Sequence, residues 1–312
     1  MVHETEPRGP AEGNDSVAGS SLLTGPQPTR SSVRQAERAR RARRFSSAWC
    51  TGIMTLVGTV IALGFWPGRM DADTLNEIDE ARRGVYTDQH SPVLQALWHP
   101  FVGIGLSPAI LLLCQILMFI AGTYLILRLV LTRRVATGCA CLLALFPPIM
   151  GTLGLVGRDT WFTVLTVFGF GLVAAALRRT GRRRTALLIL SLVVVWFALA
   201  ARQNAGPAVV IIAAFSIGLL RHPPAGRSPD RPLRIRTALS ALTLAVLFVV
   251  LSMASLSGIN RLLNVRHFSQ LGTLQIYDLA GLSRADGRNY FPATVLKDRT
   301  MTTLSLRSNV AS

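Results

Sequence analysis

The sequence predicts an all-α integral membrane protein with about seven transmembrane helices, its N-terminus inside and its C-terminus outside. Three observations predict it. Charged residues are 16% of the chain, against roughly 25% in soluble domains. The apolar residues, 50% of the total, are blocked into nearly charge-free runs of about 20 residues, the length that crosses hydrocarbon as a helix. Arginine clusters recur between alternate runs, which is how cytoplasmic loops are marked. Backbone groups in lipid must bond within the segment, so the runs read as helices and not as open strands.

Residues 1–46 are rich in Gly, Pro, Ser and Glu and then in arginine (Arg38, Arg40, Arg41, Arg43, Arg44). They read as a disordered basic cytoplasmic tail. The transmembrane domain is expected over 47–257, with spans at about 48–66, 109–131, 135–156, 160–177, 185–201, 205–220 and 237–257. The sixth is the shortest, and the third is interrupted by Pro147-Pro148. Between the first two lies a long outer loop, 67–106, carrying Asp71, Asp73, Glu77, Asp79, Glu80 and Asp88. Within it Thr74 and Glu77 have capping-box spacing and Gly84 suits a helix C-terminus, so a surface helix is expected over about 74–83. Residues 91–105 are apolar, short and contain Pro100, as an interfacial segment would. Residues 258–312 are expected to form a polar outer tail.

The net charge is +17, almost all of it arginine, with Lys297 the single lysine. With the N-terminus inside, the clusters at 133–134, 178–184 and 221–236 all fall inside. Ten of the 16 acids then fall outside. The arginines are therefore topology signals in a lipid bilayer, and nucleic acid is not expected as a partner. The four cysteines sit at or within apolar runs with no ligand spacing, as small packing residues do.

The polar residues that could carry chemistry fall in the outer turns. Asp73 suits either a helix cap or a general base taking a proton from an acceptor hydroxyl. Arg158 and Asp159 mark the turn into the fourth span. Arg158 can snorkel or hold a phosphate in its fork, and Asp159 can cap the helix. Arg202 and Asn204 occupy a tight outer turn, where an arginine runs against the inside bias and suggests function. His90 and His99 bracket the interfacial segment without metal-ligand spacing, and Asp278 stands in the tail. Outer carboxylates and arginines beside lipid suit an enzyme acting on a lipid-linked phosphate. Transport of a lipid or polar solute, or a non-catalytic truncated membrane subunit, fits the helix count equally well. A transporter, however, calls for ionisable groups at mid-membrane depth, where Gln115 and Arg128 are the main polar intrusions.

The order of these elements resembles the GT-C superfamily of membrane glycosyltransferases, most of all bacterial members related to protein mannosyltransferases and lipid-sugar transferases. The resemblance runs over about 48–295. It is carried by Trp66-Pro67-Gly68, Asp73-Thr74, His90-Ser91-Pro92 through Leu97-Trp98, Phe146-Pro147-Pro148, Gly157-Arg158-Asp159, Arg202-Gln203-Asn204 and, more weakly, Asp278-Leu279-Ala280. It implies a GT-C-like fold with an outer first loop, in the plasma membrane of a cell that builds an envelope. It implies a polyprenyl-phosphate-linked sugar as donor and an envelope glycan, lipid or protein as acceptor. Asp73 carries over as the catalytic base. Asp71, His90, Arg158, Asp159, Arg202 and Asn204 are then expected to bind substrate. Some members use a divalent metal and others none, so no cofactor carries over. Relatives often have a second proline where Ser91 stands and a lysine where Arg158 stands. They also have further spans, so the end in a polar tail at Ser312 suggests truncation at the C-terminus.

Overall fold

A computed structural model describes residues 30–104, 109–221, 235–266 and 270–291. Among the described residues every regular element is helical, and the only β-type pairings are two isolated bridges. Five helices are long and apolar enough to cross a membrane, or six if one bent pair counts as a single span.

Helix α1, Arg30–Gly64, contains the first candidate span, Ser47–Gly64. It starts earlier than expected. Residues 30–46, read above as disordered, are helical, and Gln35, Ala36, Glu37 and Ala39 are strong helix formers. Residues 1–29 lie outside the described residues.

Two short helices fill the first loop: α2, Ala72–Arg83, and α3, Pro92–Gly103. Here the expected capping is corrected. Asp71, not Asp73 or Thr74, is the N-cap of α2, accepting from the Thr74 N–H at 2.7 Å. Thr74, Glu77, Ile78 and Ala81 form the buried face, and Glu77 makes no capping bond. Gly84 ends the helix as anticipated, at φ 65°. Residues 91–105 do more than skim an interface. Ser91 caps α3, and Leu94, Gln95 and Trp98 are fully buried against the rest of the protein.

Helix α4, Ala109–Leu127, and helix α7, Arg158–Leu177, approach closely through glycine. A methyl group on Gly122 would stand 2.8 Å from the Phe168 Cα, and one on Gly171 would stand 2.8 Å from the Gly122 Cα. Small residues that let backbones meet are how helices associate in lipid. Helix α8, Gly181–Ala201, packs on the other side of α7. About half of α7 and of α8 is buried inside the protein, but only 22% of the α1 span and of the last span. The core therefore lies along α4, α7 and α8.

The third expected span is not one helix. Helix α5, Arg133–Leu145, and helix α6, Pro147–Leu153, meet at 74°. Pro147 pushes Phe146 into an extended conformation, ψ 123°, and ends α5 there. Gln115 supports the break: its amide donates to Leu153 O at 2.7 Å and to Leu155 O at 3.0 Å. Helix α9, Gly206–Arg221, has 16 residues, roughly 24 Å, and falls short of a full span. The last span lies within helix α10, Ile235–Leu262, and helix α11, Gln270–Asp286, follows where an irregular polar tail was expected.

The arginine-rich turns meet one another. The Arg178 guanidinium donates to Arg128 O, and Arg184 Nη2 donates to Leu219 O at 2.7 Å. The acidic and polar turns also meet, and they build the site described next.

Candidate functional site

Five chain segments that are remote in sequence are tied by hydrogen bonds to backbone groups. After a cis Trp66-Pro67 bond, Gly68 takes φ 111°. Only glycine adopts that readily, and any Cβ there would stand 2.7 Å from Val156 Cγ2. Arg69 then pairs with the turn before α7: its N–H donates to Gly154 O and its carbonyl accepts from the Val156 N–H, both at 2.9 Å. This sets Asp71 and Asp73 beside Gly157-Arg158-Asp159. On the opposite flank the Ser91 hydroxyl donates to Ala200 O at 2.6 Å, fixing His90 beside the end of α8. The segment 86–88 pairs with Arg266 after α10, through Arg266 N–H to Tyr86 O at 2.9 Å and Asp88 N–H to Arg266 O at 3.1 Å.

Arg158 is the hub. Its Nη1 donates to Gln89 O at 3.1 Å and its Nη2 reaches Asp73 Oδ2 at 3.5 Å. Asp159, the next residue, pairs with the Arg202 guanidinium. All four side chains are well exposed, from 37% to 61%. Each pair therefore adds only about 0–1 kcal/mol of stability, and their significance is placement. Asp159 leaves the α7 N-cap to Gly157 and faces Arg202 instead.

These groups rim a cavity of about 210 Å³ lined by Asp88, Gln89, His90, Ser91, Arg158, Ala200, Ala201, Arg202 and Asn204. Of the seven sequence-predicted site residues, four line it: His90, Arg158, Arg202 and Asn204. Asp73 and Asp159 are paired to two of those four, and Asp71 holds the helix that carries Asp73. His99 and Asp278 do not join them. The His99 ring sits 2.6 Å from Ala81 O, tying α3 to α2, and Asp278 is exposed on α11.

Behind the cavity lies a buried polar cluster that sequence reasoning missed. Glu80 accepts from the Thr87 hydroxyl at 2.9 Å and from the Gln95 amide. Its Oε2 stands 3.5 Å from His90 Nδ1. Glu77 is 1% exposed, and neither of its oxygens nor either His90 ring nitrogen makes a hydrogen bond. Burial pushes the Glu77 carboxyl up to about 7, against the pull of His90 and Arg158 and with the help of Asp73 and Asp71. Burial also works to raise Glu80, but His90, Thr87 and Gln95 outweigh it and hold that carboxyl below its usual value. Asp71 is likewise lowered: the Thr74 donors and Arg158 outweigh its partial burial. The signal for Glu77 was available, because positions 74, 77, 78 and 81 have the spacing of one helix face. Among the described residues no group of three or more His, Cys, Asp or Glu is placed to hold a metal ion.

Chemically, the arrangement offers two arginines at a polar cavity, carboxylates beside them, and apolar helices below. No family model, curated protein or solved structure matches the chain.

Proposed function

We propose that the protein is a glycosyltransferase that moves a sugar from a polyprenyl-phosphate donor to an acceptor hydroxyl at the outer face of the plasma membrane. One observation carries this reading: Arg158 and Arg202, from different turns, face one cavity, and each is matched to a carboxylate, Asp73 or Asp159. Two guanidinium forks at the end of an apolar bundle suit a phosphate whose lipid tail lies alongside the helices. The resemblance to GT-C enzymes supports the same reading.

In the proposed reaction the sugar C1–O bond to phosphate breaks and a new C1–O bond to the acceptor forms from the opposite face. Asp73 takes the acceptor's proton, and polyprenyl phosphate leaves as an anion stabilised by Arg158 and Arg202. Asp71 orients Asp73 by capping α2, Asp159 holds Arg202 at the cavity rim until phosphate competes for it, and His90 and Asn204 contact the donor head. The proposed topology is the one the arginine clusters favour. The cavity end is non-cytoplasmic and the Arg128–Arg178 end cytoplasmic, and the bent α5–α6 pair together with α9, lengthened by the turn Gln203–Ala205 that precedes it, brings the crossings to seven.

The test is transfer from labelled polyprenyl-phosphate sugars in native membranes, comparing wild type with Asp73→Asn and Arg202→Ala. Wild type should transfer label and both variants should lose it while inserting normally. Full activity in Asp73→Asn removes Asp73 as the base. No transfer by wild type from any such donor rejects the activity.

A further inference from the structure

We infer that the arginine-rich end of the bundle is a binding site for the headgroups of anionic phospholipids, built on the turns that precede α5 and α8. It lies at the other end of α7 and α8 from the cavity, and it does not depend on the transferase reading.

The turns there are gathered by arginine bonds to backbone oxygens. The Arg178 guanidinium donates to Arg128 O, Arg128 Nη1 donates to Leu131 O at 2.5 Å, and Arg184 Nη2 donates to Leu219 O at 2.7 Å. These bonds join the turns 128–134 and 178–184 and tie α8 to the end of α9. They leave Arg133, Arg134, Arg179, Arg182 and Arg183 exposed, and their guanidiniums have no ion pair or hydrogen bond among the described residues. Neither turn contains an acid.

The local electrostatics call for an anion. Helix α5 opens on Arg133-Arg134 and α8 on Gly181 followed by Arg182, Arg183 and Arg184, and neither Thr132 nor Thr180 makes a side-chain cap bond. A helix start carries about half a positive charge, which favours an anion and disfavours arginine. The starts at the cavity end are the reverse: Asp71 caps α2, Asp73 lies in its first turn, and Asp159 lies in the first turn of α7. Arg184 adds to the imbalance. It is 6% exposed, its Nε makes no hydrogen bond, and its Nη2 meets only a carbonyl. A buried charge is normally matched by an opposite one. Among the described residues no acid answers Arg184, so it acts as a positive charge behind the exposed arginines.

The surroundings point to lipid as the source of that anion. Leu129, Val130, Val135 and Leu177 are exposed beside these arginines, Val130 at 82%. Apolar side chains next to guanidiniums at the ends of spans mark the boundary between acyl chains and headgroups. A phosphodiester there can accept from the arginine forks and from the free N–H groups of the two helix starts, while its chains lie along the apolar residues. A zwitterionic lipid also brings a phosphate, but its ammonium group would meet only arginines. An anionic headgroup brings no such repulsion, and that difference sets the preference.

The experiment is native mass spectrometry of the full chain released from micelles holding equal amounts of phosphatidylglycerol and phosphatidylcholine with the same acyl chains. Wild type should retain phosphatidylglycerol at least about fivefold over phosphatidylcholine, the factor that one arginine is worth at an anionic surface. The preference should shrink as salt is raised. In the Arg133→Gln, Arg134→Gln, Arg179→Gln variant it should fall below about twofold. That variant should melt with wild type in lipid-free detergent, because these guanidiniums hold no part of the fold together. The Arg133→Lys, Arg134→Lys, Arg179→Lys variant keeps the charge and should keep most of the preference. Equal retention of the two lipids by wild type overturns the inference, whatever the variants do, and so does an undiminished preference in the glutamine variant. Glycerophosphoglycerol, the headgroup without its chains, should not displace the lipid at equal concentration. Displacement would make the ligand a soluble anion and overturn the lipid assignment.

Discussion

Asp73 and Glu77 stand one helical turn apart on α2, yet the Asp73 carboxylate is open to solvent beside Arg158 while Glu77 is buried with no hydrogen bond. Two acids on one helix thus meet two environments, one solvated and one buried. Asp73 faces the mouth of the site and Glu77 its back wall.

Glu77→Gln should stabilise the protein at alkaline pH. Burial pushes the folded carboxyl up to about 7, above its ordinary value of 4.5. Folding therefore favours the protonated form, and wild-type stability is fully present below the unfolded value and declines as pH rises through the folded one. Above that window the neutral glutamine escapes a penalty of up to about 3 kcal/mol. Melting temperatures in detergent should coincide for wild type and variant near pH 4 and separate in favour of the variant near pH 8. Parallel curves across that range would refute the buried, protonated carboxyl.

Asp71 and Asp73 should separate cleanly by mutation. Asp71→Ala removes a helix cap and should cost about 1 kcal/mol of stability, whereas Asp71→Asn keeps capping and should cost little. Asp73→Asn should leave the melting temperature almost unchanged and reduce sugar transfer by about 10²-fold or more. The check is thermal melting and labelled-donor transfer on the same preparations. A large melting shift for Asp73→Asn would reverse the two roles.

Cysteines placed at exposed positions test sidedness in a background lacking the native ones. Ala72→Cys and Asn204→Cys lie by the cavity, and Arg133→Cys and Arg179→Cys lie in the arginine-rich turns. An impermeant maleimide applied to intact cells should modify the first two and reach the second two only after permeabilisation. Labelling of Arg179→Cys from outside would invert the proposed topology.

Gly122→Ala should destabilise the bundle although alanine is the better helix former. Propensity favours alanine by about 1 kcal/mol. The added methyl, however, would meet the Phe168 backbone, which cannot move without shifting α7. Overpacking of that kind costs about 1–3 kcal/mol. Gly138→Ala, on α5 with nothing within 4 Å of the new methyl, is the control and should not lower the melting temperature.

Serine 91 links two halves of the site. It caps α3 and also donates to Ala200 O beside Arg202. Ser91→Ala should lower stability by about 1–2 kcal/mol. It should also reduce transfer from the labelled donor, because the segment carrying His90 would lose its tie to the end of α8 beside Arg202. Unchanged transfer in a destabilised variant would confine Ser91 to the cap.

The all-helical class and the apolar runs long enough to cross a membrane were legible in the sequence, because hydrophobic run length is a local property of the chain. The residues nominated for the site were picked by their turns and chemical types. Which of them meet was not. The pairing of Arg158 with Asp73 and of Asp159 with Arg202 depends on the Arg69 bridge to residues 154–156 and on Ser91 reaching Ala200. Both are contacts between segments far apart in the chain. The same is true of the burial of Glu77. Local patterning sets which segments enter the membrane. Packing of one helix on another decides which polar groups are left facing each other.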